Sequence, residues 1–129
     1  MAKGDMIRNI FRVRGFLKSV SIALKGILYL FLYHRNMRLI FIIGIISFLF
    51  GLLWFKLAGI ELIALCITIT LVFMAEIFNT AIELLMDILT KEYHTKIKLV
   101  KDIAAGVVIL AILNSIAVGY VLFVRKLFK

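Results

Sequence analysis

Residues 57–89 read LAGIELIALCITITLVFMAEIFNTAIELLMDIL, and this stretch decides the fold class. The apolar run 57–75 is long enough to begin a transmembrane helix, and helical periodicity continues to about Leu89. Four polar side chains then follow within three turns: Glu76, Asn79, Glu83 and Asp87. A carboxylate beside hydrocarbon is costly and usually faces a protein interior or a watery cleft. The stretch therefore predicts a membrane helix with a candidate functional site at one end.

The composition of the whole chain agrees with a membrane protein. The 129 residues are 64% hydrophobic, whereas a soluble domain is roughly 45–50% apolar. The mean hydropathy is +1.13. Proline is absent, so nothing in the sequence interrupts long helices. We predict an all-α membrane protein formed by a single domain, residues 1–129.

Four helical segments are expected. Residues 7–33 alternate apolar and cationic side chains at helical spacing, which is typical of an amphipathic helix in the membrane interface. Their unbroken apolar stretch after Lys25 is shorter than the ~20 residues that a span needs, so a fourth transmembrane helix is not expected. Three spans are predicted at 39–55, 57–89 and 103–124.

The net charge of +9 indicates which surfaces the protein meets. The cations cluster at the edges of the apolar segments, which favours anionic lipid headgroups over a nucleic-acid partner. Most lie before residue 39 and in the loop 91–101, while Lys56 alone marks the first turn between spans. The positive-inside rule then places the N-terminus in the cytoplasm and the C-terminus outside.

The polar side chains on 57–89 share one face of the helix. At about 100° per residue, Asn79, Glu83 and Asp87 lie roughly −60°, −20° and +20° from Glu76. Two simpler interpretations stay open. Asp87 can be a solvated helix end, and Asn79 can be a hydrogen-bonding contact between helices.

A second polar set lies in KEYHTKIKLVKD, residues 91–102. Alone it is an ordinary basic loop with Asp102 near a helix N-terminus, where negative charge is favoured. Together with the first set it suits a magnesium–nucleotide complex, because Mg²⁺ prefers oxygen ligands and a lysine can meet phosphate. No glycine-rich phosphate loop is present. The same residues equally allow a small proton or ion pathway.

The order EIFNTAIELLMD (76–87), EYH (92–94) and KDIAAGVV (101–108) resembles the small prokaryotic diacylglycerol kinase and undecaprenol kinase family. RNMR (35–38) and the short loops are more similar to its Gram-positive undecaprenol kinase branch. The resemblance implies a homotrimer of three-span protomers in the bacterial plasma membrane. It also implies that Mg-ATP phosphorylates the hydroxyl of a membrane lipid alcohol.

The resemblance also assigns roles to individual residues. Glu76 matches the family's catalytic base, Glu83 matches a metal-binding carboxylate, and Asn79 lines the same site. The positions that match nucleotide contacts are Glu92, Tyr93, His94, Lys101 and Asp102.

Three positions in the N-terminal helix depart from the family's pattern. His34 stands where the family has a metal-binding Glu, and Ile22 and Gly15 stand where an aromatic residue and an arginine near the nucleotide are expected. The alternative to a lipid kinase is therefore a catalytically degenerate membrane protein of the same fold. A third hypothesis is a proton or ion pathway that uses Glu76.

Overall fold

The computed structural model describes residues 3–89 and 94–129, with side chains from residue 15 onward. Every regular element in the described part of the chain is helical, which confirms the all-α prediction. The elements are α1 (Lys3–Tyr33), α2 (Arg35–Leu53), α3 (Ile60–Leu89), α4 (Thr95–Gly119), a π-helical turn (Tyr120–Val124) and α5 (Arg125–Leu127).

The chain divides into two compact units, residues 1–35 and residues 36–129. The first unit consists of α1, which ends where His34 interrupts the helix and its N–H donates to the carbonyl of Leu30 at 2.9 Å. The second unit contains α2 to α5. That the whole chain acts as a single domain remains a prediction.

Four stretches of helix in the described chain are long and apolar enough to cross a membrane: Gly15–Tyr33, Arg35–Leu53, Ile60–Leu89 and Thr95–Leu127. Gly15–Tyr33 belongs to α1, so the argument that α1 is too short for a span is not confirmed. The stretch Gly15–Tyr33 includes Lys18 and Lys25, and its 19 residues are still apolar enough to reach a mean hydropathy of 1.6. The position of α1 in the interface, and the count of three spans, remain predictions.

The helices of the second unit do not begin and end where the predicted spans do, by up to about two turns, and the spans themselves stay predictions. The third span was expected from residue 103, but α4 begins at Thr95, because the helix continues beyond the apolar run into charged sequence. An ion pair between Lys98 and Asp102, one turn apart at 2.6 Å, supports that charged first part.

The turn between α2 and α3 accounts for the other differences between helix ends and predicted spans. The first span was expected at 39–55, but α2 begins at Arg35 and ends at Leu53. The second was expected from residue 57, but α3 begins at Ile60. Lys56 and Gly59 have positive φ values of 50° and 56°, and this left-handed backbone cannot continue a right-handed helix.

Helices α3 and α4 form the main helix pair of the second unit. An ion pair stands at each end: Lys101 with Asp87 near the loop that joins them, and Lys126 with Glu61 at the far end. Since Asp87 and Lys101 lie seven residues on either side of residue 94, the two helices run antiparallel in simple hairpin register. This register determines which residues of α4 can reach the polar stripe of α3.

The far end of the helix pair has an apolar core. Leu57, Leu65 and Leu122 are buried there, and partly buried neighbours pack against them. The rings of Phe55 and Phe123 meet edge to face, with centroids 5.1 Å apart. Phe123 belongs to the π-helical turn, a local widening of the helix. The core therefore joins the α2–α3 turn to the end of α4, far from the polar stripe.

Candidate active site

Glu76 is the buried member of the α3 stripe, with 5% of its surface exposed. It lies among buried residues at helical spacing, between Ala75 and Thr80. Within residues 15–89 and 94–129, no side chain makes a hydrogen bond or ion pair with its carboxylate. A mostly buried acid beside an apolar run is costly unless water or a ligand meets its oxygens. Glu76 is the first functional candidate.

Asn79 and Glu83 form a pair on the same stripe. The amide Nδ2 of Asn79 donates a hydrogen bond of 3.3 Å to Oε1 of Glu83, one turn further along α3. The amide Oδ1 of Asn79 is buried and has no hydrogen-bond partner in the described part of the chain. Asn79 therefore contacts the Glu83 carboxylate, while its own buried Oδ1 has no partner among the described residues.

Lys101 is brought to the stripe from α4. Its Nζ contacts Oδ1 of Asp87 at 2.5 Å, and 37% of the Lys101 side chain and 63% of the Asp87 side chain are exposed. The sequence also allows Asp87 to be a solvated helix end, and the periodicity of α3 alone does not pair it with Lys101. The register of the α3–α4 hairpin places Asp87 and Lys101 at the same level along the axis of the helix pair.

The other predicted nucleotide contacts are placed differently. Asp102 pairs with Lys98 on α4 itself. His94 is the N-cap of α4, where its Nδ1 accepts a hydrogen bond of 3.2 Å from the backbone N–H of Lys96. Glu92 and Tyr93 lie outside the described residues. No described contact joins Asp102 or His94 to the α3 stripe.

His34 belongs to the first unit. Its side chain is half-buried, and its ring lies near that of Tyr29, with centroids 6.1 Å apart. Ile22 and Gly15, the other two departures from the family pattern, are exposed on α1. A Cβ added at Gly15 would meet no atom of the described residues within 4 Å apart from the neighbouring backbone of α1 itself.

The donor set on α3 is chemically suited to magnesium. No group of three or more His, Cys, Asp or Glu side chains able to hold a metal exists among the described residues. Mg²⁺ does not require such a group, since it usually keeps several waters and binds one or two carboxylates together with substrate phosphates. The Glu83 carboxylate and the unpartnered oxygen of Asn79 are hard oxygen donors of that kind.

An apolar cavity of about 450 Å³ lies beside the stripe, between α2, α3 and α4. Its lining residue nearest to Glu76 along α3 is Val72, one helical turn away. The cavity thus begins where the polar stripe ends. It is lined by Ile40, Ile43, Gly44, Ser47, Leu65, Thr68, Ile69, Val72, Ile112, Ser115, Val118, Gly119 and Phe123.

Fold and site together define a helical membrane protein with a carboxylate-rich site at one end of an antiparallel helix pair. Comparison with known proteins agrees. The family model for prokaryotic diacylglycerol kinase matches residues 21–123. A diacylglycerol kinase of Synechocystis is 33% identical over 120 residues, which are 92% of this chain and 68% of that protein. An undecaprenol kinase of Bacillus subtilis is 36% identical over 72 residues, which are 56% of this chain and 58% of that protein.

The chain belongs to the prokaryotic diacylglycerol kinase family. It is an enzyme of the lipid kinase class and a membrane protein. The resemblance seen in its motifs is thereby confirmed, and the residue roles that follow from the resemblance remain to be tested.

Proposed function

We propose that the protein transfers the γ-phosphoryl group of ATP to the hydroxyl of a membrane lipid alcohol, with undecaprenol preferred over diacylglycerol. One observation carries the proposal. Glu76, buried and without a described side-chain partner, lies on the same face of α3 as the Asn79–Glu83 pair and as Asp87, which contacts Lys101 of α4. Family membership supports the lipid substrate, and so does the apolar cavity one turn from Glu76.

Each residue has a defined part in the transfer. Glu76 accepts the proton of the lipid hydroxyl while the oxygen of that hydroxyl forms a bond to the γ-phosphorus. The bond between that phosphorus and the β–γ bridging oxygen breaks, and ADP leaves. Lys101 offsets the negative charge of the phosphates. Glu83, oriented by Asn79, would hold Mg²⁺, which when bound neutralises charge on the β- and γ-phosphates.

The position of Glu76 matches the position of the substrate. A lipid alcohol keeps its chain in hydrocarbon and its hydroxyl near the membrane surface, so a base for it must lie at the margin of the apolar run. Glu76 directly follows that run, and Asp87 lies about 16 Å further along the helix. ATP then approaches from the cytoplasm, the side on which the positive-inside rule places the N-terminus and the loop between α3 and α4.

A proton or ion pathway is less well supported than a kinase site. Between Glu61 and Glu76, α3 carries no Asp, Glu, His, Lys or Arg. These two carboxylates are about 22 Å apart along the helix, so α3 offers no relay of charged groups across the membrane.

The substrate can be determined by direct competition. Purified protein in mixed micelles receives Mg-ATP and equal amounts of undecaprenol and diacylglycerol, and the two lipid phosphates are separated and counted. We expect undecaprenyl phosphate to predominate, because the short loops and the RNMR segment resemble that branch. Predominance of phosphatidic acid would contradict the preference while leaving the lipid kinase intact. Formation of neither product under Mg²⁺ or Mn²⁺ would favour the catalytically degenerate alternative.

His34 is proposed to weaken magnesium binding. Imidazole suits Zn²⁺, Cu²⁺ or Ni²⁺ better than Mg²⁺, and a neutral histidine withdraws one negative charge relative to the family's Glu. We expect His34→Glu to lower the Mg²⁺ concentration for half-maximal activity by at least roughly tenfold, because even an outer-shell partner typically contributes that much. The rate of lipid phosphorylation at limiting Mg²⁺ should rise in the same variant.

The matched control is His34→Gln, which removes the imidazole without adding a charge and should leave the Mg²⁺ dependence near that of the wild type. If His34→Glu leaves both quantities unchanged, or reduces them, His34 is not at the metal and the mapping of α1 onto the family is wrong.

A homotrimer is the proposed assembly. One side of α4 carries small residues that allow a close approach of helices: Ala104, Ala111, Ser115 and Gly119. Of these, Ala104 is buried and the other three are half-buried in the single chain, and Ser115 and Gly119 line the cavity between α2, α3 and α4. Native mass spectrometry from detergent should give a trimer as the main species. A spectrum containing monomer alone would contradict this assembly.

A further inference from the structure

The ion pair between Lys101 and Asp87 joins two helices at the polar end of the site. Asp102, the neighbour of Lys101 in sequence, pairs with Lys98 within α4 and makes no described contact with α3. Lys101 instead reaches across to α3, where Asp87 lies one turn beyond Glu83 on the same stripe. The Lys101 ammonium is thus held within about one helical turn of the Glu83 carboxylate.

Holding the two helices together does not require this pair. Lys126 of α5, which continues the α4 segment, forms an ion pair of 2.7 Å with Glu61 of α3 at the opposite end, with side-chain exposures of 34% and 38%. That pair stands beside an apolar core and no polar stripe. Exposed ion pairs of either kind contribute little to stability. The Lys101–Asp87 pair differs from the Lys126–Glu61 pair because its lysine lies beside the polar stripe of α3.

We propose that Asp87 is a positioning residue that fixes the side chain of Lys101 toward the incoming nucleotide phosphates. This inference rests on the proposed kinase function. A free lysine samples many rotamers, and ordering it when ATP binds would weaken binding. Asp87 orders it beforehand. The Asp87 carboxylate stands behind the ammonium and does not touch the phosphates, because like charges repel.

The test separates nucleotide binding from catalysis. In Asp87→Asn the ion pair is lost, and the KM for ATP should rise roughly 3- to 10-fold, the range expected for ordering one long side chain at the moment of binding. The kcat at saturating ATP should stay within about twofold, since the base and the Glu83 carboxylate are intact. Asp87→Glu, which keeps the charge, should recover most of the affinity. Glu61→Gln removes the matched pair at the far end and should leave the KM for ATP unchanged.

A charge swap distinguishes positioning from simple helix packing. The double variant Asp87→Lys with Lys101→Asp restores an ion pair between the helices, but it places a carboxylate where the phosphates need an ammonium. We expect its thermal unfolding midpoint to match that of the wild type and its affinity for ATP to stay low. Recovery of the wild-type KM by the swap would overturn the proposal. So would an unchanged or lowered KM in Asp87→Asn, which would mean that Asp87 is only structural or competes with the nucleotide.

A binding measurement keeps this inference separate from the proposed function. If the wild type forms no lipid phosphate, the proposed function fails, yet calorimetric titration with a non-hydrolysable ATP analogue and Mg²⁺ still tests Asp87. The Kd of the analogue should rise 3- to 10-fold in Asp87→Asn and not in Glu61→Gln. Equal values of Kd in wild type and Asp87→Asn, or no binding by the wild type, would overturn the inference.

Discussion

Glu76→Gln is expected to lower the rate of lipid phosphorylation by ~10²–10⁴-fold, the usual contribution of a positioned general base. Glutamine keeps the size and hydrogen-bonding shape of the side chain but cannot accept the proton of the lipid hydroxyl. Because Glu76 makes no hydrogen bond or ion pair with a described side chain, the substitution should leave folding and ATP binding close to wild type. Initial rates at saturating lipid and Mg-ATP measure the effect.

The matched control for Glu76→Gln is Glu61→Gln, the same change near the opposite end of α3. It removes only an ion pair at partial exposure, so the rate should change by less than about twofold. A Glu76→Gln enzyme that retains more than a tenth of the wild-type rate would argue that the proton is taken by another group.

Glu83→Gln is expected to reduce activity by ~10²-fold or more at limiting Mg²⁺, because charge neutralisation by a bound metal is worth several kcal/mol in the transition state. The Asn79 amide can still donate to the glutamine oxygen, so the local geometry of α3 should survive. The lost negative charge weakens the metal site, and raising the Mg²⁺ concentration should recover part of the rate. A titration of rate against Mg²⁺ measures both effects.

The Mg²⁺ dependence also separates the two carboxylates. Glu76→Gln should lower the maximal rate without moving the Mg²⁺ concentration for half-maximal activity, whereas Glu83→Gln should move it upward. If Glu83→Gln lowers the maximal rate and leaves the Mg²⁺ dependence unchanged, Glu83 does not hold the metal.

Much of the architecture could be predicted from the sequence. The apolar runs indicated the helices, and the period of Glu76, Asn79 and Glu83 indicated that they share one face of α3, which the hydrogen bond between Asn79 and Glu83 confirms for that pair. Hydropathy marks only the part of a helix that lies in hydrocarbon. It therefore missed the charged first two turns of α4, and the placement of α1 in the interface remains a prediction.

The ion pairs between helices could not be predicted from composition or from single-helix periodicity. Lys101 and Asp87 are fourteen residues apart, and Lys126 and Glu61 are sixty-five apart, so each pair depends on the register of the α3–α4 hairpin. That register is set by the loop length and by the buried residues of α3, neither of which the polar residues reveal. The capping role of His94 was missed for a similar reason, because it depended on where α4 begins.

The measurement that tests the central claim most directly follows the γ-phosphate of ATP. Purified protein in lipid bilayers receives ATP labelled in that phosphate, with Mg²⁺ and undecaprenol or diacylglycerol, and the label is tracked into lipid, ADP and inorganic phosphate. We predict that the wild type transfers label to a lipid alcohol and that Glu76→Gln does not. Absence of labelled lipid with either alcohol under Mg²⁺ or Mn²⁺, or undiminished transfer by Glu76→Gln, would contradict the account.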